Sequence, residues 1–324
     1  MPWWGDNSRV GGRSRLCSVS TGLQRFLETR GPAGTRANQL LQDIGFSASV
    51  SWPASRLTPT GSPLEFGFTE AGGGLRYTVE VGSPGVNAER RLSDICEFVL
   101  GRGFLPPPVD LLDRVKDLQA AGLLTYGAWL GVRHDGADDR FKIYAEVPTA
   151  AGSAVEDWIN QVLGAPLRLP GPPPRIEMIG LDAGTGELEV YYASTDMLRT
   201  GLSMALNRAG LSGTPASILS VIDGMTAVSA GARLPGRDVG FSYGLTQGMH
   251  EVAFTLYLVA QKLFGDDKSC TEWLAGRLPG HGDLMQILPA TPPGITHHGL
   301  VGLTVAPGAA RPLLSTGVAA PWMG

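Results

Sequence analysis

Two short runs around a glycine turn, Leu64–Phe68 and Leu75–Val81, alternate apolar and polar residues and constrain this chain's fold more than anything else in it. Period two is the side-chain repeat of a strand. One face of the hairpin carries Leu64, Phe66, Phe68, Leu75, Tyr77, Val79 and Val81. The other carries Glu65, Gly67, Thr69, Arg76, Thr78 and Glu80. Similar strand pairs return along the chain, each with one polar face.

Helical segments alternate with these pairs. Leu23–Ile44 reads as one helix, followed by the hairpin at 63–82 and a helix over Glu89–Leu100. A helix over Val109–Gln119 precedes strands at 123–134 and 140–147, and a helix over Ala154–Leu163 precedes strands at 174–182 and 187–194. Then come a helix at 196–209, another beginning at Ala216–Ile222, strands at 226–233 and 239–245, and a helix at 249–264. A short helix near 269–277 and strands near 297–305 and 313–320 finish the chain. The sum is five helix-flanked hairpins at a spacing of roughly 50–60 residues, a period that signals a repeat architecture.

Ten strands have two solutions. One open sheet, with helices on one side and water on the other, matches the alternation. A closed barrel matches it too and removes the exposed edges. Periodicity alone leaves both open. In 140–147, Phe141, Ile143, Ala145 and Val147 oppose Arg140, Lys142, Tyr144 and Glu146; in 187–193, Leu188, Val190 and Tyr192 oppose Glu187, Glu189 and Tyr191. In a barrel these polar faces line a lumen, and Trp129 is a candidate to stack there on an aromatic ligand. The long buried apolar strands of an eight-stranded parallel barrel are absent.

Composition narrows the function. The net charge of -4 argues against nucleic-acid or anionic-membrane partners. Cys17, Cys96 and Cys270 are odd in number and far apart, which argues against a disulfide scaffold or zinc site. The start of the chain lacks a signal-peptide layout, and no apolar segment suits a membrane span. A cytoplasmic protein is expected, with residues 1–19 a flexible tail and 20–324 one domain. His297 and His298, on opposite strand faces, make poor joint metal ligands. Ala183-Gly184-Thr185-Gly186 is a hairpin turn and opens no helix, so it is no dinucleotide fingerprint.

The segment Arg56-Leu57-Thr58-Pro59-Thr60-Gly61-Ser62-Pro63-Leu64-Glu65-Phe66, followed by Leu75–Glu80, resembles the aromatic prenyltransferases of the ABBA (PT-barrel) type. Within that family it looks like the dimethylallyltryptophan-synthase group of indole prenyltransferases. Phe141-Lys142-Ile143-Tyr144 is similar to that family's K-x-Y strand. The resemblance implies an α+β fold: a ten-stranded antiparallel β-barrel surrounded by helices, built from five αββα repeats. It implies transfer of a prenyl group, dimethylallyl in this branch, from its diphosphate to an aromatic acceptor such as an indole or tryptophan derivative, in secondary metabolism. Glu65 would contact and deprotonate the acceptor, Arg76 and Lys142 would hold the diphosphate, and Tyr144 and Tyr191 would shield the allyl cation. No cofactor is expected; magnesium is permitted but not required. A monomer or weak homodimer is expected.

The chain departs from the family in its third repeat. Where R-x-K-x-Y is usual, it reads Glu187-Leu188-Glu189-Val190-Tyr191. Both cations have become carboxylates, so these two residues join the candidate ligand contacts. If every polar strand face points inward, Arg76, Arg133, Arg140, Lys142, Arg175 and Arg233 meet Glu65, Glu80, Glu146, Glu177, Glu187, Glu189 and Asp238 in a nearly neutral lumen. Glu65 is also a candidate partner for Arg76 across the hairpin, and Glu187 and Glu189 for Arg175 or Arg140. A second function therefore stays open: a barrel that uses no diphosphate and serves as a small-molecule or peptide binding protein or a cyclase-type enzyme.

Overall fold

The computed structural model describes residues 21–44, 55–82, 86–164, 166–226, 231–245, 252–291 and 294–320. The expected tail at 1–19, with Cys17, lies outside them.

Ten antiparallel strands close into one barrel, each paired with its sequence neighbours and the first with the last. Strands β1 (Leu64–Thr69) and β2 (Leu75–Val79) follow helices α1 (Thr21–Thr29) and α2 (Gly31–Asp43). Helices α3 (Ala88–Gly101) and α4 (Val109–Ala120) lead to β3 (Ala128–Asp135) and β4 (Asp138–Glu146). Helix α5 (Gly152–Leu163) leads to β5 (Arg175–Asp182) and β6 (Leu188–Thr195). Helices α6 (Arg199–Arg208) and α7 (Pro215–Met225) precede β7 (Asp238–Leu245) and β8 (Val252–Val259). Short helices α8 (Ala260–Phe264), α9 (Asp267–Leu274) and α10 (His281–Met285) precede β9 (His298–Val305) and β10 (Leu313–Ala319).

The core is a shell between barrel and helices. The outward strand residues Phe66, Ile143, Val190, Phe241 and Phe254 are wholly buried there. Phe26 of α1 meets the Phe66 ring edge-on at 4.8 Å. Burying such side chains contributes about 1.5–3 kcal/mol each. Two Asp–His pairs sit on the outer side of the barrel wall, one within strands β2–β4 and one joining β9 to α9 and α10. His134 Nδ1 lies 2.7 Å from Asp139 and its Nε2 3.1 Å from the Tyr77 hydroxyl. His298 Nδ1 lies 2.6 Å from Asp267 and its Nε2 2.8 Å from His281 Nε2.

Three expected elements differ. The helix expected over Leu23–Ile44 breaks after Thr29, because Gly31 takes a left-handed φ of +56° and Pro32 occupies the first turn of α2. The helix expected at 249–264 is strand β8 through Val259, then one turn of α8. Its Phe-Thr-Leu-Tyr-Leu alternation, with β-branched and aromatic residues, pairs along both β7 and β9. The strand expected at 226–233 is not one among its described residues; Arg233 makes only an isolated bridge to Leu198.

Two bulges decide which side chains face inward. Between Ile176 and Met178, β5 carries one residue more than β6 opposite it. The extra residue flips the alternation, so Glu177 and Asp182, five positions apart, both line lumen cavities. Between Thr316 and Val318, β9 carries the extra residue, and His298 turns to the helices while Leu300, Gly302 and Thr304 line the lumen.

Candidate active site

The lumen has a charged chamber and an aromatic one. The charged chamber, about 590 Å³, receives Arg76, Arg133, Arg140 and Lys142 from β2–β4 and Asp182, Glu187 and Glu189 from β5–β6. The wall from β7 to β10 is small or hydroxylic there: Gly244, Ala253, Thr255, Gly302, Thr304 and Ser315. The aromatic chamber, about 180 Å³, is lined by Leu57, Tyr126, Trp129, Met178 and Leu300. Glu65, Thr78, Tyr144, Tyr191, Tyr257 and Leu300 border both chambers. A further cavity of about 260 Å³ lies at the β1–β2 turn, where Arg30 is already bound to Asp283 at 2.7 Å.

Glu65 stands at the junction. Its register partners are Thr78 on β2 and Ala319 on β10, so it does not pair with Arg76, which lies opposite Gly67. No cation or hydrogen-bond donor among the described residues reaches its carboxyl. Burial in the lumen pushes the Glu65 pKa up to about 8. Room for the side chain comes from Gly317, where a Cβ would collide with the carboxyl.

Glu189 is the hub of the opposite wall. It forms an ion pair with Lys142 and accepts hydrogen bonds from the Tyr191 hydroxyl at 2.6 Å, Ser242 Oγ, and the Tyr257 hydroxyl at 3.3 Å. Burial disfavours its charged form, but Lys142 and the Ser242 and Tyr191 hydroxyls outweigh that and hold its pKa below the ordinary value. Lys142 mirrors it: desolvation opposes the ammonium, Glu189 prevails, and the pKa rises. The ammonium also lies 5.5 Å from the Tyr144 ring centre and 5.7 Å from that of Tyr191. Gly180 lets it pass, since a Cβ there would sit 2.6 Å from Lys142 Cε.

The tyrosines form a belt. Tyr144 and Tyr191 meet edge to face at 5.9 Å, and Tyr191 and Tyr257 are tilted at 6.0 Å. In the aromatic chamber Trp129 stacks on Tyr126 at 3.9 Å, nearly parallel. Its indole N–H donates to Glu80 at 3.3 Å.

The same barrel recurs in solved structures of prenyltransferases. The apo form of prenyltransferase PriB superposes with a TM-score of 0.73 over 92% of this chain and 94% of its own, at 17% identity. The chain is a PT barrel. The 5-dimethylallyl tryptophan synthase from Streptomyces coelicolor, solved with DMASPP and Trp, gives a TM-score of 0.70 over 94% and 95% of the two chains, at 18% identity. NotF prenyltransferase with brevianamide F and DMSPP gives 0.63 over 100% and 99%, at 13% identity. No protein-family model and no curated protein sequence matches the chain.

Within this PT barrel, Glu65, Arg76, Lys142, Tyr144, Tyr191, Glu187 and Glu189 all border the charged chamber, and Trp129 borders the aromatic one. The expected charge count needs correction. Glu80 is buried against Arg91 of α3 at 2.8 Å, and Glu146 accepts the backbone N–H groups of Thr125, Tyr126 and Gly127. Arg233 pairs with Asp196 at 2.6 Å, Asp238 is exposed at a strand end, and neither borders a lumen chamber. Arg175 pairs with Glu177 rather than with Glu187 or Glu189. Residue order hid several chamber residues, among them Tyr257 and Asp182. Tyr257 was hidden by the helical reading of β8, and Asp182 by the β5 bulge. Among the described residues no three His, Cys, Asp or Glu side chains are grouped to hold a metal ion, and no helix is long and apolar enough to cross a membrane.

Proposed function

We propose that this protein transfers a prenyl group, dimethylallyl by choice, from its diphosphate to an electron-rich aromatic acceptor such as an indole or tryptophan derivative. One observation carries the reading. A cation-bearing chamber and an aromatic chamber meet at a single carboxyl and a belt of three tyrosines. The diphosphate occupies the charged chamber with Arg76 among its partners. The acceptor ring lies in the aromatic chamber against Trp129 and Met178. Ionisation breaks the allylic C–O bond, and the tyrosine faces stabilise the cation while excluding water. A ring carbon then attacks, forming the new C–C bond, and the ring gives up a proton to the Glu65 carboxylate, which restores aromaticity. Glu65 accepts the acceptor's N–H and opposes the positive charge developing on the ring. The guanidinium groups supply the counter-charge for the leaving group, so the reading needs no metal.

A second reading has its own support. Glu189 engages Lys142, and Glu187 and Asp182 add negative charge to the same chamber. That favours a barrel that binds or cyclises an uncharged or cationic small molecule and uses no diphosphate.

One experiment separates the two. The protein is incubated with dimethylallyl diphosphate and a panel of indoles, and products are read by mass spectrometry alongside thermal shifts. A product heavier by one dimethylallyl group is expected, with a raised melting temperature in the diphosphate alone. No product and no shift with any allyl diphosphate would support the second reading.

A further inference from the structure

The charged chamber contains a row of three like charges on adjacent strands. Arg76 on β2 lies directly opposite Arg133 on β3, and Arg133 lies directly opposite Arg140 on β4. All three line the lumen, Arg76 and Arg133 half-buried and Arg140 exposed to solvent. Like charges at directly opposed positions of an antiparallel sheet destabilise it. Among the described residues the middle arginine has an ion pair, with Asp135 at 2.6 Å. Neither Arg76 nor Arg140 has an ion pair or hydrogen bond among the described residues. The Nε atoms of Arg76 and Arg133 are enclosed and lack an acceptor. Burial, with Arg133 beside it, lowers the Arg76 pKa. The fourth cation, Lys142, is held by Glu189.

We infer that the anion site of this barrel is the arginine ladder Arg76–Arg133–Arg140, and that Lys142 belongs to the tyrosine belt instead. A planar guanidinium offers paired N–H donors that match phosphate oxygens. Three in a row present a surface on which a diphosphate bridges adjacent strands and removes their mutual repulsion. Two carboxylates just before and within β6, Glu187 and Glu189, put negative charge on one wall, and the ladder supplies positive charge on the facing wall. The ladder accounts for a diphosphate site in a lumen whose Lys142 is occupied. It rests on the prenyl-transfer reading for the identity of the anion.

The test uses inorganic pyrophosphate and isothermal calorimetry on the intact chain. Arg140→Gln and Arg76→Gln are each expected to weaken binding by roughly 10–100-fold, the value of a lost charge-assisted hydrogen bond. The double variant Lys142→Gln with Glu189→Gln, which removes the ion pair without changing net charge, is expected to stay within about threefold of the parent. Arg133→Gln provides a second ladder variant should one of the others fail to fold, as judged by circular dichroism. Pyrophosphate that ignores the parent protein, or that binds Arg140→Gln and Arg76→Gln as tightly as the parent, overturns the ladder. Loss of binding in the double variant alone also overturns it. Transfer assays distinguish the two proposals. Pyrophosphate binding that depends on the ladder in a protein without transferase activity keeps the ladder and removes the transfer reading. Transfer with an unchanged KM for the prenyl diphosphate in Arg140→Gln does the reverse.

Discussion

Glu65 holds its proton near neutrality because its carboxyl sits in the lumen with no cation beside it among the described residues. The sign of its effect on stability follows. An unfolded chain releases this proton near pH 4.5 and the folded chain near 8, so stability falls as pH rises through that window. Glu65→Gln should flatten this decline, with its melting temperature gaining on the parent between pH 5 and 8. A parallel decline in both proteins would show that another group is responsible. If Glu65 is the proton acceptor, transfer should increase with pH toward about 8 in the parent and lose that dependence in the variant. Crowding at the same scale gives a second prediction. A Cβ at Gly131 would lie 2.7 Å from the Tyr144 ring. Gly131→Ala should therefore cost about 1–3 kcal/mol of stability, read as a lower denaturant midpoint, because the tyrosine must leave its place in the belt.

Elements decide which of these residues meet. The β5 bulge re-aims every inward side chain beyond it, and the β9 bulge sends His298 outward to α9 and α10. There the Asp267 carboxylate accepts the His298 Nδ1 proton, which leaves His298 Nε2 to accept from His281 Nε2–H. His281 is wholly enclosed, and burial followed by the neighbouring His298 lowers its pKa to about 4. The neutral ring therefore contributes stability that is complete above pH 6.5, its ordinary value, and is lost as pH falls toward 4. His281→Gln should be less stable than the parent at neutral pH yet lose less between pH 6.5 and 4. Equal losses in urea melts at both pH values would place the acid sensitivity elsewhere. Asp267→Asn should cost about 2–4 kcal/mol at neutral pH, because it also weakens the acceptor for the His297 and His298 amides.

The whole barrel depends on one long-range closure, the pairing of β1 with β10. Gly317, which makes room for Glu65, comes from β10, so the last strand completes both the sheet and the site. Ending the chain before Leu313 should abolish the cooperative thermal transition and expose two sheet edges, detected as loss of near-ultraviolet dichroism and as aggregation. Retention of a sharp transition would show that the other nine strands fold without closure.

Much of this was legible in residue order. Alternation is a local property, so the outward and inward faces of β1, β2, β4 and β6 could be read directly, and Glu65, Lys142 and Tyr191 stood on the polar faces. The Glu187/Glu189 departure also marked the third repeat as unlike the family. Where local signals compete, the reading failed. Val252–Val259 has an apolar density that suits a helix or a strand, and only pairing with β7 and β9 on both sides made it β8 and brought Tyr257 inward. A bulge leaves no periodic trace, so Asp182 was invisible until two strands were set in register. Charge balance is the clearest case. Sequence alone determined which ionisable residues the chain has. Only the closed barrel decided that Glu80 belongs to Arg91, that Glu189 belongs to Lys142, and that Arg76, Arg133 and Arg140 face one another across three strands. Partners of a charge are set by distance in space, and cross-strand register fixes that distance independently of separation along the chain.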